Sequence, residues 1–282
     1  MGTVYHQTII IHMLKAQEIF DKLWLDYTSQ NPLAKEVYDL FIQQGEEVLN
    51  DHIAFRTFND SRVNIDVLAQ QFIEAGYEYK GSYNFEEKKL NARHFEHKEF
   101  RDAPRIFISE LRTEEFSPFL QRKVKEMIDR IPVELVGKGE LIYKGNLWGI
   151  PSYETYLKLR EESEYAAWVY VFGFRANHFT VSVNGLKKYT SVEAVNDFVE
   201  SYGFKINDSG GKVKGTPEEL LEQSSTMAGK LPTQFLEGTH EIPSCYYEFA
   251  KRYPDSDEKL YSGFIAKSAD KIFESTNFYQ GK

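Results

Sequence analysis

The heptapeptide Asp51-His52-Ile53-Ala54-Phe55-Arg56-Thr57 alternates polar and apolar side chains and is rich in β-formers, so it reads as a strand. Side chains two and four apart share a face of a strand. His52, Ala54 and Arg56 therefore point one way, Ile53 and Phe55 the other. An imidazole and a guanidinium separated by a methyl make an unusual core face. They suit a pocket in which a metal ligand stands beside a clamp for a carboxylate. Taken alone, the heptapeptide fits better a partly exposed edge strand whose histidine is simply hydrogen-bonded. The rest of the chain has to decide.

Other residues capable of chemistry carry weaker signals. His94 and His97 are three apart on a strand and face opposite sides, and His240 reads as a loop histidine. Arg175 is out of phase with His178 and leaves its face. The tract Ser224-Ser225-Thr226 lacks the His/Asp partners of a hydrolase triad, and the glycine-lysine stretch 211–215 lacks a phosphate-loop pattern and reads as a turn.

The 282 residues, 41% hydrophobic and 27% charged, describe a globular chain able to bury a sizeable core. With 21 Phe and 18 Tyr, thick side-chain layers or an aromatic-lined cavity are expected. A net charge of −9 and the absence of a basic run argue against nucleic acid as a partner. An anionic substrate would need local Arg or Lys to reverse the potential in a cleft. The single cysteine, Cys245, excludes an internal disulfide or a cysteine-rich zinc site and fits a cytoplasmic protein. No apolar run reaches membrane length and no secretory signal is evident, so no membrane partner is expected.

Helical periodicity places a lead-in over 14–48, with Leu14, Ile19, Phe20, Leu23 and Tyr27 on one stripe and a second helix from Pro32 to about Gln44. A first module, 51–111, reads strand 51–57, helix 64–75 with Ile65, Leu68, Phe72 and Ile73 inward, then strands 77–84, 90–97 and 105–111. A helical insertion, 114–172, contains helices 114–131 and 153–170. A second module, 175–250, opens on a strand carrying His178, continues through a helix ending before Gly203, and closes on a last strand over 242–250. A C-terminal segment, 251–282, completes a single two-module domain spanning 1–282.

Strand, helix, then strands thus occurs twice, with a histidine near the start of each first strand. Two βαβββ modules forming a curved metal-enclosing sheet with peripheral helices describe an α+β fold of the vicinal-oxygen-chelate type. In that architecture the ligands come from the first strand of each module and from the last strand. His52 and His178 occupy the two first-strand positions, and Glu248 lies on the last strand with Tyr246 on its face. Two imidazoles and one carboxylate leave open positions on an octahedral ion, which points to Fe(II); zinc also suits the set. Glu110, on the last strand of the first module, is a fourth candidate, as a ligand or as a structural carboxylate.

The segments HIAFRTF, RIFISEL, FRANHFTV, THEIPSCYYEFAKR and SADKIFEST together resemble the 2-oxoadipate dioxygenase/decarboxylase (hydroxyglutarate synthase) family, over most of residues 14–278. The resemblance implies an iron(II) enzyme of lysine degradation. It implies His52, His178 and Glu248 as metal ligands and Arg56 as a substrate-binding residue. Ser268, in the segment AKSADKIF, is a candidate late substrate contact.

The expected reaction takes 2-oxoadipate and dioxygen to 2-hydroxyglutarate and carbon dioxide, with Arg56 pairing a substrate carboxylate bidentately. The expected partners are therefore a small 2-oxo dicarboxylic acid and dioxygen. Two alternatives remain open: a redox-inert metal-dependent lyase or isomerase on the same scaffold, and a non-catalytic 2-oxo-acid binding protein.

Overall fold

A computed structural model describes residues 2–266 together with Lys271 and Ile272. The helices α1 (Gly2–Gln30) and α2 (Pro32–Gln43) lead into β1 (Asn50–Phe58). Then come α3 (Ile65–Glu74), β2 (Tyr77–Phe85), β3 (Leu90–His97), β4 (Arg105–Leu111), α4 (Pro118–Asp129), α5 (Tyr153–Glu162) and α6 (Glu164–Phe172). The remainder comprises β5 (Ala176–Ser182), α7 (Val192–Ser201), β6 (Lys214–Thr216), β7 (Leu221–Ser225), β8 (Lys230–Phe235), β9 (Gly238–Pro243) and β10 (Glu248–Arg252). No helix among the described residues is long and apolar enough to cross a membrane.

The chain divides into two compact units. The first holds residues up to Tyr27, 54–177 and 232–240. Its strands run in the order β2-β3-β4-β1, with β3 antiparallel to both β2 and β4. The helix α3 starts at Asn64, whose side chain accepts the Val67 N–H, and buries Ile65, Leu68 and Phe72. Gly76 follows its end at φ +96°, the left-handed cap that glycine takes without strain. Ile73 on the last turn stays exposed, contrary to expectation.

The second unit holds 28–53, 178–231 and the chain from Glu241 on. Its strands run β5-β10-β7-β6. In it β10 lies parallel to β5, with Glu248 opposite Thr180, and antiparallel to β7. Both units therefore carry the strand-helix-strands arrangement, with each module's last strand beside its first or next to it in the ladder. In the second module the two-stranded sheet of β8 and β9 interrupts the run between β7 and β10.

Five local expectations need correction. In α1 the buried stripe is Ala16, Ile19, Phe20, Leu23 and Tyr27, and Leu14 is exposed because it falls on the opposite side of the 3.6-residue turn. The helix expected over 153–170 is broken at Ser163, which ends α5 and caps α6 by accepting the Ala166 N–H. The last strand expected over 242–250 is likewise two pieces: Ile242 and Pro243 end β9, which pairs with β8, and β10, which pairs with β5 and β7, begins only at Glu248. The stretch 211–215 read as a turn gives way at Lys214 to β6, and β7 is buried throughout from Leu221 to Ser225. Finally, β1 is buried from Asp51 to Phe58 on both faces, so it is not a partly exposed edge.

Candidate metal centre

Within the second unit, β1 supplies His52, β5 supplies His178 and β10 supplies Glu248. Each is less than 5% exposed, and one ligand atom from each lies within 4.8 Å of the others. Among the described residues they form the one such cluster of three or more His, Cys, Asp or Glu side chains. The His178 Nε2 is 3.1 Å from Glu248 Oε2, and the His52 Nε2 is 3.5 Å from Glu248 Oε1. The two imidazoles meet edge to face at 5.5 Å.

The surroundings fix these side chains. The Gln223 amide on β7 donates to Glu248 Oε1 at 2.5 Å. The Asp51 carboxylate lies 2.8 Å from His52 Nδ1, and the Thr180 hydroxyl 3.1 Å from His52 Nε2. Tyr246 stacks on the His178 ring at 4.7 Å, and Phe264 meets the His52 ring edge-on at 4.9 Å. Tyr246 reaches the cluster although it precedes β10, so strand alternation with Glu248 is not what brings it there. Burial by itself pushes the Glu248 carboxyl up. The two imidazoles and the hydrogen bonds from His178 and Gln223 outweigh that and hold it below the ordinary carboxylate value. A buried carboxylate facing two imidazole nitrogens is able to hold a cation, and these donors suit a transition metal.

Arg56 lies four residues beyond His52 on β1, in the part of the strand that belongs to the first unit. It is 3% exposed, and its guanidinium carbon sits 5.1 Å and 5.2 Å from the ring centroids of Tyr165 and Trp168. Tyr165 is itself pinned, accepting the Thr57 N–H and donating to backbone carbonyls of Thr57 and Ser109. Arg56 is thus a buried cation in cation–π contact with two aromatic rings.

The other sequence candidates have structural employment. Glu110 accepts the Ile65 N–H at the start of α3 and stands outside the ligand cluster. Burial raises its carboxyl above the ordinary value of 4.5. His94 bridges the Tyr83 hydroxyl and Glu96, and His97 accepts the N–H groups of Glu99 and Phe100. His240 stacks on Tyr153 at 3.6 Å, and Arg175 pairs with Asp26. Cys245 is buried and unbridged. Ser268 lies outside the described residues.

Sequence reasoning passed over Asp51, Thr180, Gln223 and Arg252. Thr180 was within reach, two residues beyond His178 and so on its face. Gln223 was not, because the strand that carries it, LEQSS, has no apolar alternation.

The sequence profile of the 2-oxoadipate dioxygenase/decarboxylase family matches residues 20–135 and 140–259. A rice (Oryza sativa subsp. japonica) 2-oxoadipate dioxygenase/decarboxylase, described as chloroplastic/amyloplastic, is 37% identical over 89% of this chain and 76% of its own length. The crystal structure of hydroxyglutarate synthase in complex with 2-oxoadipate from Oryza sativa superposes with a TM-score of 0.85 at 36% identity, over 93% of this chain and 91% of that one. A Shewanella frigidimarina protein provisionally called a hydrolase gives 0.84 at 48% identity, over 89% and 98%. A glyoxalase-superfamily protein of Ralstonia eutropha shares the fold, at TM-score 0.71 and 20% identity over 89% and 85%.

Proposed function

Because the chain belongs to the 2-oxoadipate dioxygenase/decarboxylase family, we propose that it is an iron(II)-dependent enzyme converting 2-oxoadipate and dioxygen to 2-hydroxyglutarate and carbon dioxide. The observation that carries this reading is the buried convergence of His52, His178 and Glu248. Two imidazole nitrogens and one carboxylate oxygen are a donor set that would hold a non-haem iron(II) ion. Iron bound there supplies the redox chemistry with dioxygen and the Lewis acidity toward the 2-oxo acid.

The chain's own residues bind, orient and exclude water. His52, His178 and Glu248 would hold the metal, and each of the three is almost fully buried. Gln223 occupies Glu248 Oε1 with a donated N–H, which orients that carboxylate. Arg56 receives a substrate carboxylate on its planar fork, with the rings of Tyr165 and Trp168 packed against the guanidinium. Such positioning lowers the entropic part of the barrier. The reaction balances without a further reductant, since both atoms of dioxygen enter the two products. Lysine degradation is the setting this substrate suits, and the single cysteine agrees with a cytoplasmic location.

The decisive experiment is oxygen uptake by anaerobically iron-loaded protein given 2-oxoadipate, 2-oxoglutarate or 2-oxopimelate, with products identified by mass. Uptake stoichiometric with 2-hydroxyglutarate from 2-oxoadipate is the expected result. Tightly bound iron with no uptake on any of the three would overturn the oxygenase reading in favour of a redox-inert lyase or a binding protein.

A further inference from the structure

Behind the ligand cluster lies a second arrangement, buried and fully within the same unit. The Arg252 guanidinium donates to both oxygens of Asp51, from Nε to Oδ2 at 2.7 Å and from Nη2 to Oδ1 at 2.9 Å. Its remaining nitrogen, Nη1, donates to the backbone carbonyls of Tyr261 and Gly263 at 2.9 Å and 2.7 Å. The Arg252 backbone is held in turn by the Asn184 side chain, which both donates to it and accepts from it. The guanidinium carbon is 5.0 Å from the Phe264 ring centroid, and that ring stands perpendicular to the His52 imidazole.

From this geometry, and resting on the reading of His52 as a metal ligand, we infer that Asp51 and Arg252 are positioning residues for the metal centre: Asp51 holds His52 in the tautomer that presents Nε2 to the ion, and Arg252 fastens residues 261–264 over the same imidazole. A carboxylate gripped by a guanidinium fork offers lone pairs, so its 2.8 Å contact with His52 Nδ1 is an Nδ1–H donating to Oδ1. A neutral imidazole carries one N–H, which leaves Nε2 bare. That nitrogen faces Glu248 and the Thr180 hydroxyl, from which it accepts. Because one guanidinium serves both Asp51 and the 261–264 carbonyls, docking of that segment and readiness of His52 are coupled. Coupling of this kind is reciprocal, so the metal steadies the segment as the segment steadies the ligand.

Long-range nitrogen-proton NMR on the metal-free wild type is expected to report His52 protonated at Nδ1; protonation at Nε2 overturns the inference. The second measurement is cobalt(II) binding in competition with a chelator, for wild type, Asp51→Asn, Arg252→Lys and His52→Ala. Loss of about 10- to 100-fold in affinity is expected for Asp51→Asn, the usual scale for removing a group that orients a metal-bound histidine. Arg252→Lys keeps the charge without the fork and is expected to weaken cobalt binding in the same direction. In wild type, cobalt is also expected to slow amide hydrogen exchange at residues 261–264, an effect a purely structural ion pair would not produce. Wild-type affinity in both Asp51→Asn and Arg252→Lys, beside a His52→Ala that has lost the metal, overturns this inference and leaves the metal reading intact. Wild-type affinity in His52→Ala overturns both.

Discussion

On the proposed reading of Arg56 as the substrate-carboxylate clamp, Arg56→Met is the substitution that separates substrate binding from metal binding. Methionine fills the slot between Tyr165 and Trp168, where the guanidinium carbon now sits 5.1 Å and 5.2 Å from the two ring centroids. The volume and apolar contact of the arginine stem are kept, and the five donors are removed. Loss of the two cation–π contacts costs about 2 kcal/mol each at a desolvated site, while relief from burying a charge offsets a similar amount. The thermal midpoint is therefore expected to move by no more than about 5 °C. Substrate binding has no such compensation. Truncating one partner of a buried, hydrogen-bonded charge pair costs about 2–5 kcal/mol. At about 1.4 kcal/mol per decade, KM for 2-oxoadipate should rise by roughly 30- to several-thousand-fold. Iron content, measured by chelator release, should stay at the wild-type level because none of the three ligands is touched. Arg56→Lys, a point charge without the fork, should fall between the two. Oxygen uptake against substrate concentration reads KM directly. An unchanged KM in Arg56→Met, or a loss of activity that tracks a loss of iron, would refute the assignment of Arg56 to the substrate carboxylate.

Two further predictions concern stability. Burial raises the Glu110 carboxyl above its ordinary 4.5, so its contribution to stability is complete below that value and is lost as pH rises through the folded-state value. Glu110→Gln, which still accepts the Ile65 N–H, should therefore melt higher than wild type at pH 7 and alongside it at pH 4. A variant that melts lower at pH 7 would contradict this sign. Ser163→Ala removes the cap of α6 and should lower unfolding stability by about 1 kcal/mol in urea, with iron content unaltered. No measurable change would mean that α6 starts without help from the Ser163 hydroxyl.

Much of the fold is legible in local pattern. Alternation reproduces β3 and β4 to the residue and β1 to within one, and the 3.6-residue period finds α2, α3 and α7. Apolar residues recur in these elements at the strand or helix period, and that recurrence leaves a trace even where, as in β1, both faces are buried. The failures share a cause. The strand β7 is buried through polar residues that are satisfied by partners elsewhere: Ser224 donates to Asn196, and Gln223 to Glu248. Ser163 reads as one more polar helix position, although its hydroxyl starts a new helix. In both cases the deciding contact, long-range for β7 and a local hydroxyl cap at Ser163, leaves no mark in an apolar periodicity.

The chain alone determined that His52 and Arg56 share a strand face, because the two-residue period of a strand is a local property of the backbone. It also carried the ordered segments by which its family is recognised. Only the tertiary structure decided that His52, His178 and Glu248 meet within 4.8 Å, and that Asp51 from β1 and Arg252 from β10 stand behind them. Residues about 200 positions apart leave no mutual trace in local pattern. Their encounter depends on β10 laying itself beside β5, with Glu248 opposite Thr180, and that pairing is set by the burial of whole strands.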